Sequence, residues 1–158
     1  MKVSLNINGR AVSADIEPRL SLADFLRGAD CNLTSVHLGC EHGVCGACTV
    51  LIDGQIARSC IALAAACDDS EITTLEGLKD DKAISELKDA FHEHHGLQCG
   101  FCTPAMLISA REVLAQGHRD ETAIREAMSG NLCRCTGYAG IVDAMLSVAA
   151  RQEKPDAD

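Results

Sequence analysis

At 158 residues the chain holds one ordinary domain or two small ones, which excludes a large multi-domain enzyme. Apolar residues at 47% and charged residues at 23% sit near globular averages and exclude disorder and coiled-coil or collagen-like repetition. A net charge of −9 with no basic cluster lacks the electrostatic footprint of nucleic-acid binding, no apolar run reaches the roughly 18–20 residues of a membrane span, and the alternating start at residues 1–6 is not a signal peptide. The chain therefore reads as cytoplasmic, with neither a nucleic-acid nor a membrane partner.

In chain order, Val3, Leu5 and Ile7 alternate with polar residues, Asn8-Gly9 follows, and Val12, Ala14 and Ile16 alternate again, which predicts a hairpin with a type I′ turn. Ser21 and Asp24 form a capping-box pattern ahead of Leu22, Phe25 and Leu26, predicting a helix of about two turns that stops before Gly28. Gly39, Gly43 and Gly46 make the stretch from Leu38 to Ala47 a loop. Thr49 to Ile52, Asp53-Gly54 and Gln55 to Ser59 predict a second hairpin, and Ile72 to Leu75 a last short strand. From about residue 80 the period becomes helical. Ile84, Leu87, Ala90 and Phe91 predict a helix stopped by Gly96. Thr103 as N-cap with Pro104 behind it opens a second that runs to Gly117. Residues Glu121 to Met128, closed by Gly130, predict a third helix, and Ile141, Met145, Val148 and Ala149 a fourth, before a polar tail from Gln152 that should fray. The chain thus divides into a β-rich part, 1–76, and an all-α part, 77–158, with no internal repeat.

Ten cysteines fall short of the roughly 8–10% of a disulfide scaffold but far exceed cytosolic usage, and in a reducing compartment they point to metal ligation. An aromatic content of 3% leaves a small core of the kind that gains from a metal staple. Cys40-x4-Cys45-x2-Cys48, followed by Cys60, has the plant-type spacing for a 2Fe-2S cluster, and the intervening glycines supply the positive φ angles and exposed N–H groups that a loop around thiolates needs. The gap to Cys60 is shorter than in plant ferredoxins. Cys99-x2-Cys102 and Cys133-x-Cys135 form a second set, each pair ahead of a predicted helix, where N–H groups and dipoles favour thiolate. On residues alone this set suits structural zinc as well as iron, with the tight Cys-x-Cys favouring iron.

Other readings of these residues are weaker. The two C-x-x-C pairs lack the βαβ context of a redox dithiol, and His42 beside Cys40 has no C-x-x-H counterpart for a Rieske site, so it reads as an exposed loop residue. Cys31 and Cys67 read as small packing residues. His92, Glu93, His94 and His95 read as a solvated helix end that meets the negative dipole. No G-x-G-x-x-G or G-x-x-x-x-G-K occurs, so any flavin belongs to a partner.

Residues 39–50 (GCEHGVCGACTV), 98–104 (QCGFCTP) and 130–138 (GNLCRCTGY) resemble the iron–sulfur subunit of the xanthine oxidase family of molybdenum hydroxylases, over essentially the whole chain. The resemblance implies an α+β protein: an N-terminal β-grasp, ferredoxin-like 2Fe-2S domain followed by an all-α four-helix domain with a second 2Fe-2S cluster. It implies partners as well, a large subunit with molybdopterin dinucleotide and a medium subunit with FAD or another acceptor, in a bacterial-type heterotrimer. Electrons would pass from molybdenum to the helical-domain cluster, then to the ferredoxin-like one, and this chain would hold no substrate site. The holoenzyme would hydroxylate an aromatic heterocycle, aldehyde, acyl-CoA thioester or similar substrate with oxygen from water. Gln98 matches the position that contacts the pterin dinucleotide, with Cys99 beside it; the alternative is that Gln98 caps its own loop. Ser35, Val36 and Ala105 depart from the usual family residues without touching a ligand. The competing functions are a freely diffusing ferredoxin, which the acidity would suit, and a structural zinc protein.

Overall fold

A computed structural model describes residues 1–152 of the chain. Strands β1 (Lys2–Ile7) and β2 (Arg10–Asp15) pair antiparallel, Lys2 opposite Asp15 and Ile7 opposite Arg10. Asn8 and Gly9 between them hold φ of 53° and 79°, the mirror-image turn that matches strand twist. Val3, Leu5 and Ile7 are buried on one face, as the period of two dictates. Helix α1 (Leu22–Arg27) opens on Ser21, whose Oγ accepts from Asp24 N at 3.0 Å, and buries Leu22, Phe25 and Leu26 against the sheet side of the core. Strands β3 (Thr49–Ile52) and β4 (Gln55–Arg58) form the second hairpin, and β5 (Glu71–Thr73) lies between the two hairpins, parallel to β1 and antiparallel to β3. The order β2-β1-β5-β3-β4 with α1 across it is a β-grasp sheet.

The last strand ends earlier than the expected Ile72–Leu75. Thr74 N–H donates to Asn8 Oδ1 at 2.9 Å instead of to a strand, and Leu75–Leu78 turns into a 3-10 helix. Leu75 and Leu78 pack on the second core, which belongs to α2 (Lys82–Glu93), α3 (Thr103–Ala115), α4 (Glu121–Ala127) and α5 (Ala139–Gln152). Ile84, Leu87, Phe91, Met106, Ile124, Ile141 and Met145 fill it. Among the described residues no helix is long and apolar enough to cross a membrane.

Three helix ends differ from expectation. Thr103 is not the N-cap of α3: Cys102 holds that position, Thr103 is the first helical residue, and its buried Oγ1 has no hydrogen-bond partner among the described residues. Gly96 is not the left-handed stop of α2. That conformation falls on His95, φ 54°, and Gly96 N donates to Phe91 O at 2.7 Å. Gly96 is instead buried against the Phe91 ring and Gly140 O, which a Cβ would meet at 3.3 Å. The third helix becomes 3-10 over Met128–Gly130. His92, Glu93 and His95 are exposed, and Glu93 pairs with Arg151 at 3.0 Å. Gln152 ends α5; the rest of the expected frayed tail, 153–158, lies outside the described residues.

Candidate metal centres

Glu41, Gly43 and Gly46, at φ of 57°, 82° and 76°, curl the loop ahead of β3. Curling turns the amide of Cys45 onto Cys40 Sγ, N···S 3.3 Å, and that N–H, helped by the backbone at His42, pulls the Cys40 thiol down to about 6. The same curl brings Cys45 Sγ against Gly39, where a Cβ would stand 3.2 Å from the sulfur. Cys60 arrives through the β3–β4 hairpin: Ser59 Oγ donates to Cys48 O at 2.7 Å and locks the end of β4 beside Cys48. Burial first, then its neighbours Cys48 and Cys40, push the Cys60 thiol up to about 11. Cys40, Cys48 and Cys60 thus stand near one another, and Cys45 lies on the same curled loop as Cys40.

In the helical half, Cys99 and Cys135 stand with sulfurs 3.4 Å apart, and the Cys102 and Cys133 thiols contact each other. The Phe101 amide, then Cys135, lowers the Cys99 thiol. Burial, then Cys133, raises Cys102 to about 12. At Cys133 burial is the largest single influence and acts upward, but it is outweighed by several donors together: the Thr136 hydroxyl, which donates to its sulfur at 3.2 Å, the backbone at Thr136 and Cys135, and the Cys102 thiol. Cys99 and Cys135 are exposed, whereas Cys133 is buried. Only the first pair lies at a helix N-terminus; the turn Thr136–Tyr138 separates Cys133 and Cys135 from α5, against the expectation for both pairs.

A cleft of about 340 Å³ runs between the two sets, with Cys40 and Cys45 on one wall and Cys99, Cys102, Cys133 and Cys135 on the other. The loops are tied directly. Leu132 N donates to Cys45 O at 2.8 Å, Arg58 donates to Gly130 O at 2.7 Å, and buried Asn131 reaches Gly46 O at 3.4 Å while accepting from Ser109 Oγ. His37 Nδ1 meets Phe101 O at 2.6 Å, and the two rings stack with centroids 4.6 Å apart. Sequence reasoning assigned no role to Arg58, Asn131 or His37. Their partners lie roughly 60 to 85 residues away, and no local pattern marks such contacts.

The donor chemistry fits 2Fe-2S clusters. Both sets are all-sulfur, and backbone N–H and hydroxyl groups aim at sulfur. In the helical set the sulfurs stand in two pairs, as a binuclear core with two thiolates per iron requires. The thiols stand here for the thiolates of the loaded protein. Cys67 is buried and Cys31 half-buried; burial raises both thiols, and both pack on the first core. Gln98 is exposed beside Cys99.

A 2Fe-2S iron–sulfur cluster binding domain matches residues 5–82, and a [2Fe-2S] binding domain matches residues 74–146. The chain is 50% identical to the caffeine dehydrogenase subunit gamma of Pseudomonas sp. (strain CBB1), covering 96% of this chain and 92% of that one. It is 51% identical to the nicotine 6-hydroxylase small subunit of Paenarthrobacter nicotinovorans over 92% and 88%. In structure it is similar to quinoline 2-oxidoreductase from Pseudomonas putida 86, with 48% identity, a TM-score of 0.87 and 98% coverage of both chains.

Proposed function

Because the chain belongs to the iron–sulfur subunits of the xanthine oxidase family of molybdenum hydroxylases, we propose that it is the electron-transfer subunit of such an oxidoreductase. When bound, the two 2Fe-2S clusters supply one-electron transfer from a molybdopterin site on a large subunit toward FAD on a medium subunit or another acceptor. Cys40, Cys45, Cys48 and Cys60 hold one cluster, Cys99, Cys102, Cys133 and Cys135 the other. The single observation that carries this reading is the cleft whose two walls bear cysteines of both sets, since a relay in series needs its two sites adjacent and fixed. A freely diffusing ferredoxin and a zinc protein are both displaced, the first by relatives that are subunits and by a second ligand set, the second by two 2Fe-2S domain matches.

The chain's own residues set the geometry of the relay. The loop amides and the Thr136 hydroxyl offset charge on sulfur, and Arg58, Asn131 and His37 keep the loops together. Val44 and Ile61 are exposed beside the first set; Leu97, Phe101 and Leu132 are exposed around the second, which supports a partner on each side. Gln98 and Cys99, at the open edge of the second set, face the pterin dinucleotide in this reading. The domains meet at 76/77, and the complex works in the cytoplasm. The caffeine, nicotine and quinoline relatives support a heteroaromatic substrate, bound by the large subunit.

The test is the order of the relay. The wild-type complex should carry about four irons and four sulfides per chain. In an assembled Cys48→Ser variant, substrate should still reduce the helical-domain cluster in one turnover while flavin stays oxidised. In an assembled Cys135→Ser variant, the ferredoxin-type cluster should stay oxidised; its fast reduction, read by rapid-freeze spectroscopy, would overturn the order.

A further inference from the structure

Cys133 sits inside a closed ring of hydrogen bonds. Its N–H donates to Tyr138 Oη at 3.0 Å, the Tyr138 N–H donates to Thr136 Oγ1 at 3.1 Å, and Thr136 Oγ1 donates to Cys133 Sγ at 3.2 Å. Because the Tyr138 amide occupies a lone pair of the Thr136 hydroxyl, its single proton is directed at the sulfur. The ring closes only because Gly137 and Tyr138 are both left-handed, at φ of 65° and 69°. For a residue as bulky as tyrosine that conformation is unfavourable, and the surrounding structure must impose it. Among the described residues Thr136 is the one hydroxyl bonded to a cysteine sulfur of either set, so the two sites differ in this respect.

We propose that Thr136 is a positioning residue for electron affinity: its hydroxyl, held by the Tyr138 turn, stabilises added charge on Cys133 Sγ and raises the reduction potential of the helical-domain cluster. Uptake of one electron puts one further negative charge on the cluster and its thiolates. A donor fixed on a thiolate therefore favours the reduced form over the oxidised form. The effect makes the helical-domain site a better acceptor for the first electron leaving the molybdenum side. The inference rests on the assignment of Cys99, Cys102, Cys133 and Cys135 as ligands of one cluster.

Thr136→Val removes the hydroxyl at near-constant volume, and Thr136→Ser retains it. Both are made in the assembled complex, checked for iron and sulfide, and titrated potentiometrically with each cluster followed by its own paramagnetic signal. T136V should lower the ratio of reduced to oxidised helical-domain cluster about tenfold at a given ambient potential, equal to about 59 mV for a one-electron couple. T136S should restore it, and the ferredoxin-type cluster should not move in either. An unmoved midpoint with full iron, or an equal shift in both clusters, would overturn the proposal while leaving the ligand assignment standing. If T136V does not hold its iron, T136A is read in the same way. Iron loss from both, with T136S intact, would overturn the proposal by showing that the hydroxyl serves cluster assembly. Absence of a second cluster signal from the wild-type complex would sink the ligand assignment along with it.

Discussion

Alanine substitution at two glycines with the same backbone conformation isolates the contact that joins the cluster loops. Gly46 and Gly54 both have φ of +76°, so an alanine at either incurs the same left-handed cost, about 1–2 kcal/mol, offset by up to roughly 1 kcal/mol from the stiffer unfolded chain. Nothing lies within 4 Å of a Cβ at Gly54, and Gly54→Ala should cost about 1 kcal/mol. At Gly46 the new methyl would fall 2.5 Å from Gly130 O and 2.9 Å from Asn131 Nδ2. The 130–131 turn must then retreat, giving up the bonds from Leu132 to Cys45, Asn131 to Gly46 and Arg58 to Gly130. With about 0.5–1.5 kcal/mol for each of the two neutral bonds, 1.5–3 for the charged one and the same backbone cost of about 1, Gly46→Ala should cost about 3.5–7 kcal/mol in all. At about 2–4 °C per kcal/mol, G54A lowers the transition by a few degrees and G46A by about 7–28 °C. Thermal loss of the visible circular dichroism of the clusters in the assembled complex measures both. Equal melting of the two variants would refute the reasoning, because the packing of Gly46 on the Gly130 turn would then contribute nothing.

Cys31→Ala and Cys67→Ala should keep full iron and cost about 0.5–2 kcal/mol each, with buried Cys67 at the upper end; loss of a cluster from either, by iron analysis, would mean the ligand sets are wrong. At Glu76 burial opposes ionisation, but donors from Ser35 and Thr74 outweigh it and hold the carboxyl below its ordinary range. A depressed native pKa gives stability that is present above the unfolded value, about 4.5, and lost as pH falls through the native one. Glu76→Gln should therefore lower stability at neutral pH and flatten its fall below about pH 4.5; parallel pH curves for wild type and variant would exclude that role.

Much of the site was legible in the sequence because its signals are local. A thiolate ligand must be cysteine, a curled loop must have glycine or its equivalents at left-handed positions, and a two-residue type I′ turn favours Asn-Gly or Asp-Gly, so Cys40, Gly43, Gly46 and both hairpins declare themselves by spacing. The helices followed from the period of Ile84, Leu87 and Phe91 and of Ile141, Met145 and Val148. Helix ends were less legible: the stop at His95 and the N-cap at Cys102 depend on how neighbouring backbone packs, and a Gly96 selected for close approach to Phe91 looks, in sequence, like a Gly selected for its φ. The central place of β5, and the ties from Arg58, Asn131 and His37 across the cleft, were decided by tertiary structure alone. Pairing of segments far apart in the chain is chosen by shared burial and complementary donors and acceptors, and these exist only once both halves have folded and come into contact.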